Sequence, residues 1–178
     1  MIRLKQILRE ILDLDLKRCL LKIKNNEFKL IGAGDNGRVY EIDDEDKVFK
    51  ITKERDEYNV AASILNKHAA YSTFIPVYYV NGSDMFIMAN AAPLPGTLKQ
   101  AIDAFMQEYG VFARERGGEV SIFEFTEQTD SVNKQLNNFL NALQLDVEKL
   151  AIPEFELDLD FRSENVMLWN GQLVLVDW

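Results

Sequence analysis

The sequence holds a single cysteine, Cys19, and a single histidine, His68, among its 178 residues. One cysteine excludes an intrachain disulfide and fits a reducing, cytoplasmic setting. One Cys and one His far apart supply neither a zinc site nor a Cys–His nucleophile pair. Cys19 falls in an apolar helical pattern and reads as a small buried hydrophobe. Apolar runs are short as well. None approaches the ~18–20 residues of a membrane span, so no membrane partner is expected. The charges at Arg3, Lys5, Arg9 and Glu10 do not read as a signal peptide. Cations are scarce, with 20 Lys and Arg against 29 Asp and Glu and a formal net charge of −9. Non-specific nucleic-acid binding needs a surplus of cations near phosphates and is not expected. A nucleotide site, which needs a few local donors, stays open.

Hydrophobic residues make up 47% of the chain, enough for a core in one two-lobed domain or two small domains. Leu4, Ile7, Leu8, Ile11 and Leu12 form a helical stripe over 3–13, and a second short helix is expected over 16–23. These helices either pack on the first lobe, the preferred reading, or offer a dimer surface. From Glu27 the pattern turns to strands: Phe28 to Leu30, a glycine loop, a return through Val39-Tyr40-Glu41-Ile42, and a third strand over 47–51. Asp43 to Asp46 reads as a solvated hairpin tip. A helix is predicted over 53–67. Two strands, 75–80 and 85–88, come next, joined at Asn81-Gly82. The sum is about five antiparallel strands with one helix inserted after the third. Pro93, Pro95 and Gly96 mark a linker. Beyond it, helices are expected over 97–107 and 130–148, with a loop at Gly117-Gly118 and an ambiguous stretch over 120–125. A hairpin closes at Asn170-Gly171.

Four motifs stand in a fixed order on this framework: Gly32-Ala33-Gly34-Asp-Asn-Gly37-Arg-Val39, then Val48-Phe49-Lys50, then Asp160-Phe-Arg162-Ser-Glu-Asn165, then Val176-Asp177-Trp178. Glycines let the backbone pass close to phosphates and present N–H groups. A dinucleotide-binding loop has the same glycine spacing but leads into a helix, whereas this one leads into strand-like residues. The plain alternative is an ordinary hairpin turn. A lysine inside an apolar strand is costly unless its ammonium has a partner. Read plainly, Asp158 to Asn165 is an acidic loop without function, and a lone Asp177 is unremarkable.

Together these motifs resemble those of eukaryotic-type protein kinases, in a reduced form similar to small bacteriophage serine/threonine kinases, from about residue 27 to 178. The resemblance implies an α+β, protein-kinase-like two-lobe fold: an N-terminal helical extension over 1–26, an N-lobe over 27–90, and a truncated, mainly helical C-lobe over 91–178. It implies ATP and Mg²⁺ as ligands, with Gly32, Ala33, Gly34, Gly37 and Val39 covering the phosphates. Lys50 would hold the α- and β-phosphates and pair with Glu57, whose helix face also carries Ala61 and Ile64. Glu54, one turn earlier, is the second choice. Met88 would guard the adenine pocket, and the backbone of Ala89, Asn90 and Ala91 would bond the adenine edge. Asp160 would be the catalytic base, Arg162 would neutralise transferred charge, and Asn165 and Asp177 would hold the metal.

Asp158 replaces the usual His of the catalytic loop, and Trp178 replaces the usual Phe-Gly, a change shared with antibiotic and choline phosphotransferases. The sequence stops before the place of an activation segment, as a minimal protein or a shortened form would, so the nucleotide half is expected to be complete and the acceptor half not. The implied activity is transfer of the γ-phosphoryl group of ATP to a protein Ser or Thr in the cytoplasm, the host's if the source is a phage. Two alternatives stay open: a small-molecule phosphotransferase, and a pseudokinase that docks on a partner protein.

Overall fold

A computed structural model describes residues 14–150 and 161–177, apart from 36, 66, 68, 69, 83, 119 and 130–132. Two compact units divide the chain: Met1–Asn66 with Pro76–Asn90, and Lys67–Ile75 with Ala91–Trp178. The expected boundary at 90/91 coincides with one edge of this division. Residues 67–75, expected inside the first lobe, belong instead to the second unit. The helical stripe expected over 3–13 lies outside the described residues.

In the first unit, five antiparallel strands run in the order β1-β2-β3-β5-β4: β1 Phe28–Ala33, β2 Gly37–Ile42, β3 Lys47–Thr52, β4 Val77–Asn81 and β5 Met85–Ala89. Helix α2, Arg55–Ile64, is inserted between β3 and β4. The α+β class and the single inserted helix match the expectation. The strand period of two explains how one strand serves two cores. Phe49 joins Ile42, Ile87 and Cys19 on one face. That face is covered by α1, described over residues 14–24, through Leu16, Leu20 and Ile23. The preferred reading of this second helix, packing on the first unit, therefore holds. Phe28 meets Phe49 edge-on at 5.2 Å, and Tyr40 stacks on Phe49 at 4.7 Å. Such pairs add about 0.5–1.5 kcal/mol beyond their area. Lys50, next to Phe49, turns to the opposite face, where α2 buries Glu57, Val60, Ala61 and Ile64.

The Asp43–Asp46 turn is a solvated tip at Asp43, Asp44 and Asp46, as expected, but not at Glu45. The Glu45 side chain is 8% exposed and pairs with Arg18 at 2.9 Å and Lys22 at 3.5 Å, while the Lys22 ammonium also donates to the Asp43 carbonyl. Charges on α1 thus dock it on the β2–β3 turn, a contact with no local sequence signature.

The second unit is built from α3 Gly96–Glu115, α4 Ile122–Gln128, α5 Lys134–Leu150 and a hairpin of β6 Val166–Trp169 with β7 Gln172–Leu175. The ambiguous stretch over 120–125 belongs largely to α4. Ser121 caps it by accepting from the Glu124 N–H at 3.1 Å, the Ser-x-x-Glu start signal. Asn133 caps α5, its Oδ1 accepting from Gln135 and Leu136 N–H groups. The β6–β7 turn uses Asn170 at φ 50° and Gly171 at φ 78°, the two positive values a tight hairpin requires.

One buried acid holds residues 72–73 to α5. Asp146 is 1% exposed, and its Oδ2 accepts from the Thr73 N–H at 3.0 Å and the Thr73 hydroxyl at 2.9 Å. Lys149 pairs with its Oδ1 at 2.8 Å. Next to this clasp, Phe74 forms a parallel bridge with Leu175 of β7.

Candidate functional site

Each unit carries part of the expected site. In the first, strand register sets the geometry. Gly32 lies opposite Val39, Val39 opposite Lys50, and Lys50 opposite Phe86, so the glycine loop closes one strand away from the lysine. The loop is pinned at its base by Gly34 N–H donating to Gly37 C=O at 3.0 Å, and from the side by Lys53 donating to the Asp35 carbonyl at 3.1 Å.

The three glycines differ in what they answer to. A Cβ on Gly37 would sit 2.5 Å from the Ile51 carbonyl oxygen, so β2 could not lie against β3 there with any side chain. A Cβ on Gly34 would meet nothing within 4 Å, and on Gly32 only ordinary contact with Val39 at 3.8 Å. Gly37 is required by the sheet itself. Gly32 and Gly34 are not, and the space above Gly34 is open to an incoming group.

Lys50 is 5% exposed and Glu57 is 2% exposed, and the two form an ion pair. Glu57 reaches Lys50 because it lies on the buried face of α2, one and two turns before Ala61 and Ile64. Glu54, the second choice, is the N-cap of that helix and exposed. Met88 is buried on β5 between Val48 and Val77. In the backbone named for an adenine edge, Ala89 N–H donates to the Pro76 carbonyl at 3.0 Å and Asn90 N–H to the Asp46 carbonyl at 2.9 Å. Those two N–H groups are committed to the fold, so a contact of this backbone with an adenine edge would fall to its carbonyls and to the Ala91 N–H.

In the second unit, the loop that carries the third motif is anchored on both sides. Phe161, 2% exposed, packs 6.1 Å from Phe139 of α5 and 6.2 Å from Phe105 of α3. Lys99 of α3 donates to the Ser163 hydroxyl at 2.6 Å and to the Glu164 carboxylate at 2.9 Å. That hydrogen bond with Glu164 raises the Lys99 pKa and lowers that of Glu164. The Arg162 carbonyl accepts from Asn165 N–H at 3.0 Å, which closes the turn, and the Arg162 side chain is exposed. Lys99 was not singled out from sequence. Its signal was weak, a lysine in the first turn of a helix far from the loop it holds.

The hairpin then brings Asn165 and Asp177 together. Val166 pairs with Leu175, and the Val176 N–H donates to the Asn165 carbonyl at 2.9 Å, so the two residues flank the open end of the hairpin. Both are partly buried. An amide oxygen and a carboxylate are hard donors of the kind Mg²⁺ takes alongside substrate phosphates. Among the described residues, no group of three or more His, Cys, Asp or Glu could hold a metal. Asp158, Asp160 and Trp178 lie outside the described residues.

No helix among the described residues is long and apolar enough to cross a membrane. No protein-family description, curated protein or solved structure matches this chain.

Proposed function

We propose that this chain is an ATP-dependent phosphotransferase of the protein-kinase type, moving the γ-phosphoryl group of ATP to the hydroxyl of a protein Ser or Thr. The observation that carries the reading is the buried Lys50–Glu57 pair. Desolvating two charges costs several kcal/mol per ion, and an apolar pair of similar volume would hold the sheet and helix at least as well. A requirement for a rigid ammonium one strand from a glycine loop explains why the pair is there. Gly32 and Gly34, unneeded by the fold, support the same reading.

In this mechanism Lys50 binds and orients the α- and β-phosphates, held in place by Glu57. The backbone of Gly32 to Gly37 covers the phosphates and excludes water. Asp160 orients the acceptor hydroxyl and accepts its proton, while Arg162 offsets charge on the transferred group. Asn165 and Asp177 would hold Mg²⁺, which neutralises phosphate charge when bound.

The reading is tested by incubating the protein with γ-labelled ATP and a cell lysate, then following label on protein. Transfer by the wild type, abolished in Asp160→Ala and in Asp177→Ala, is the expected result. Undiminished labelling by either variant would overturn the assignment. Consumption of ATP without label on any protein would redirect it to a small-molecule acceptor.

A further inference from the structure

The outer edge of β7 is paired for only part of its length. At Leu175 the backbone faces away from β6: its N–H donates to the Thr73 carbonyl at 2.7 Å and its C=O accepts from Ile75 N–H at 3.0 Å. Opposite Leu173 on β6, Leu168 also faces outward, exchanging two bonds of 2.8 Å with Ala92. In an antiparallel pair, outward-facing positions recur every second residue. Leu173 therefore also turns its N–H and C=O away from β6. Parallel continuation of the bridge would satisfy its C=O with the Thr73 N–H, but Asp146 has captured that donor. The 72–75 segment peels away from β7 at this point, and among the described residues no backbone group outside the hairpin bonds to Leu173.

A cavity of about 340 Å³ opens where the pairing stops. Its rim carries Ser72, Gln135, Asn138 and Gln172, and its floor is formed by Phe139 and Leu173. No charged side chain lines it, in a chain of net charge −9. A strand-spaced donor and acceptor at the floor, side-chain amides at the rim and apolar surface between them match the backbone of a polypeptide. They do not match an ion, which would call for a charged partner. The volume lies within the range of specific ligand pockets, at its lower end.

We propose that this cavity is a docking site for a short, extended, uncharged segment of a partner polypeptide. One residue of the segment completes the edge of β7 through Leu173, and neighbouring peptide groups bond the amides of Gln135, Asn138 and Gln172. This is strand addition at a sheet edge, in which main-chain bonds supply affinity and the adjoining pocket selects side chains. The proposal does not depend on the nucleotide reading, because it uses none of the residues assigned to the phosphates or the metal.

The test is selection of random heptapeptides displayed on phage against the full chain, then solution affinities of the selected peptides. Ala142, partly buried, also lines the cavity, and Ala142→Phe would fill it. Selected peptides are expected to be poor in charge, to lose binding to Ala142→Phe, and to weaken roughly tenfold when the central backbone nitrogen is methylated. A melt of the variant controls for folding, and Asn138→Leu, at an exposed position, serves if Ala142→Phe fails it. Amide exchange at Leu173 should slow on binding. No peptide selected, equal affinity for the filled cavity, or indifference to backbone methylation would each overturn the proposal.

Discussion

Among the described residues two acids are almost wholly buried, one in each unit, and they are satisfied in different ways. Asp146 is clasped by a backbone N–H, a hydroxyl and a lysine, and it joins a helix to a segment 73 residues away in sequence. Glu57 pairs from helix α2 with a lysine of β3 that is itself buried. The first arrangement is what a structural acid needs, because hydrogen bonds replace the lost water. The second sets two desolvated charges against one another, an arrangement that an apolar pair can often replace without loss of stability. The comparison sets a group held by hydrogen bonds beside a pair that the proposed phosphate site would explain.

The largest effect is expected at the structural acid. Asp146→Ala should remove about 3–5 kcal/mol, since it strands the Thr73 donors and Lys149. At about 2–4 °C per kcal/mol for a chain of this length, the melting temperature should fall by at least ~6 °C. A fall of less than ~2 °C would show that the clasp is dispensable.

The ion pair should behave otherwise. Lys50→Met alone leaves an uncompensated buried carboxylate and should cost about 3 kcal/mol, whereas Lys50→Met with Glu57→Leu should come within ~1 kcal/mol of the wild type or exceed it. Denaturant unfolding of the two single variants and the double variant measures this directly. A double variant as unstable as either single one would make the pair structural after all.

The glycines give an intermediate contrast. Gly37→Ala should cost about 1–3 kcal/mol, because its Cβ would be driven into the Ile51 carbonyl. Gly34→Ala should stay within ~0.5 kcal/mol while weakening stabilisation by ATP. Equal losses of stability at the two positions would remove the distinction between a sheet glycine and a ligand glycine.

The smallest effect concerns the exposed Lys99–Glu164 strap. The Glu164 carboxyl titrates below its ordinary range because Lys99 donates to it, so its contribution is present above the unfolded carboxyl pKa and fades as pH falls through the lowered folded value. Lys99 titrates higher, so its share persists until alkaline pH. Glu164→Gln should flatten the acid side of the stability profile slightly, and an unchanged profile would show that the strap adds nothing.

Local chemistry was readable in the sequence wherever a residue contradicted its surroundings. Lys50 stood out as a cation in an apolar strand, and Asn170-Gly171 as a pair suited to positive φ. Asp146 carried the same kind of signal and was missed: it lies on the α5 stripe, three residues after Leu143 and four before Leu150. Val120 to Phe125 carries no clear period, yet the Ser121 cap and burial of Phe123 and Phe125 make most of it helix. What could not be read was long-range. Nothing local in 67–75 says that it belongs with α5 and β7, and nothing in Asp43 to Asp46 says that Arg18 and Lys22 will cover Glu45. Nor does anything local say that Pro76 and Asp46 will take the Ala89 and Asn90 N–H groups.

The most direct test of the central claim is a thermal melt with and without Mg²⁺-ATP, on the wild type and on Asp177→Ala. A ligand at about 100 times its dissociation constant adds ~2.7 kcal/mol, a rise of roughly 5–11 °C here. A magnesium-dependent rise in the wild type that disappears in Asp177→Ala is the predicted result. No shift at millimolar ATP, or one that survives loss of Asp177, would contradict the nucleotide site.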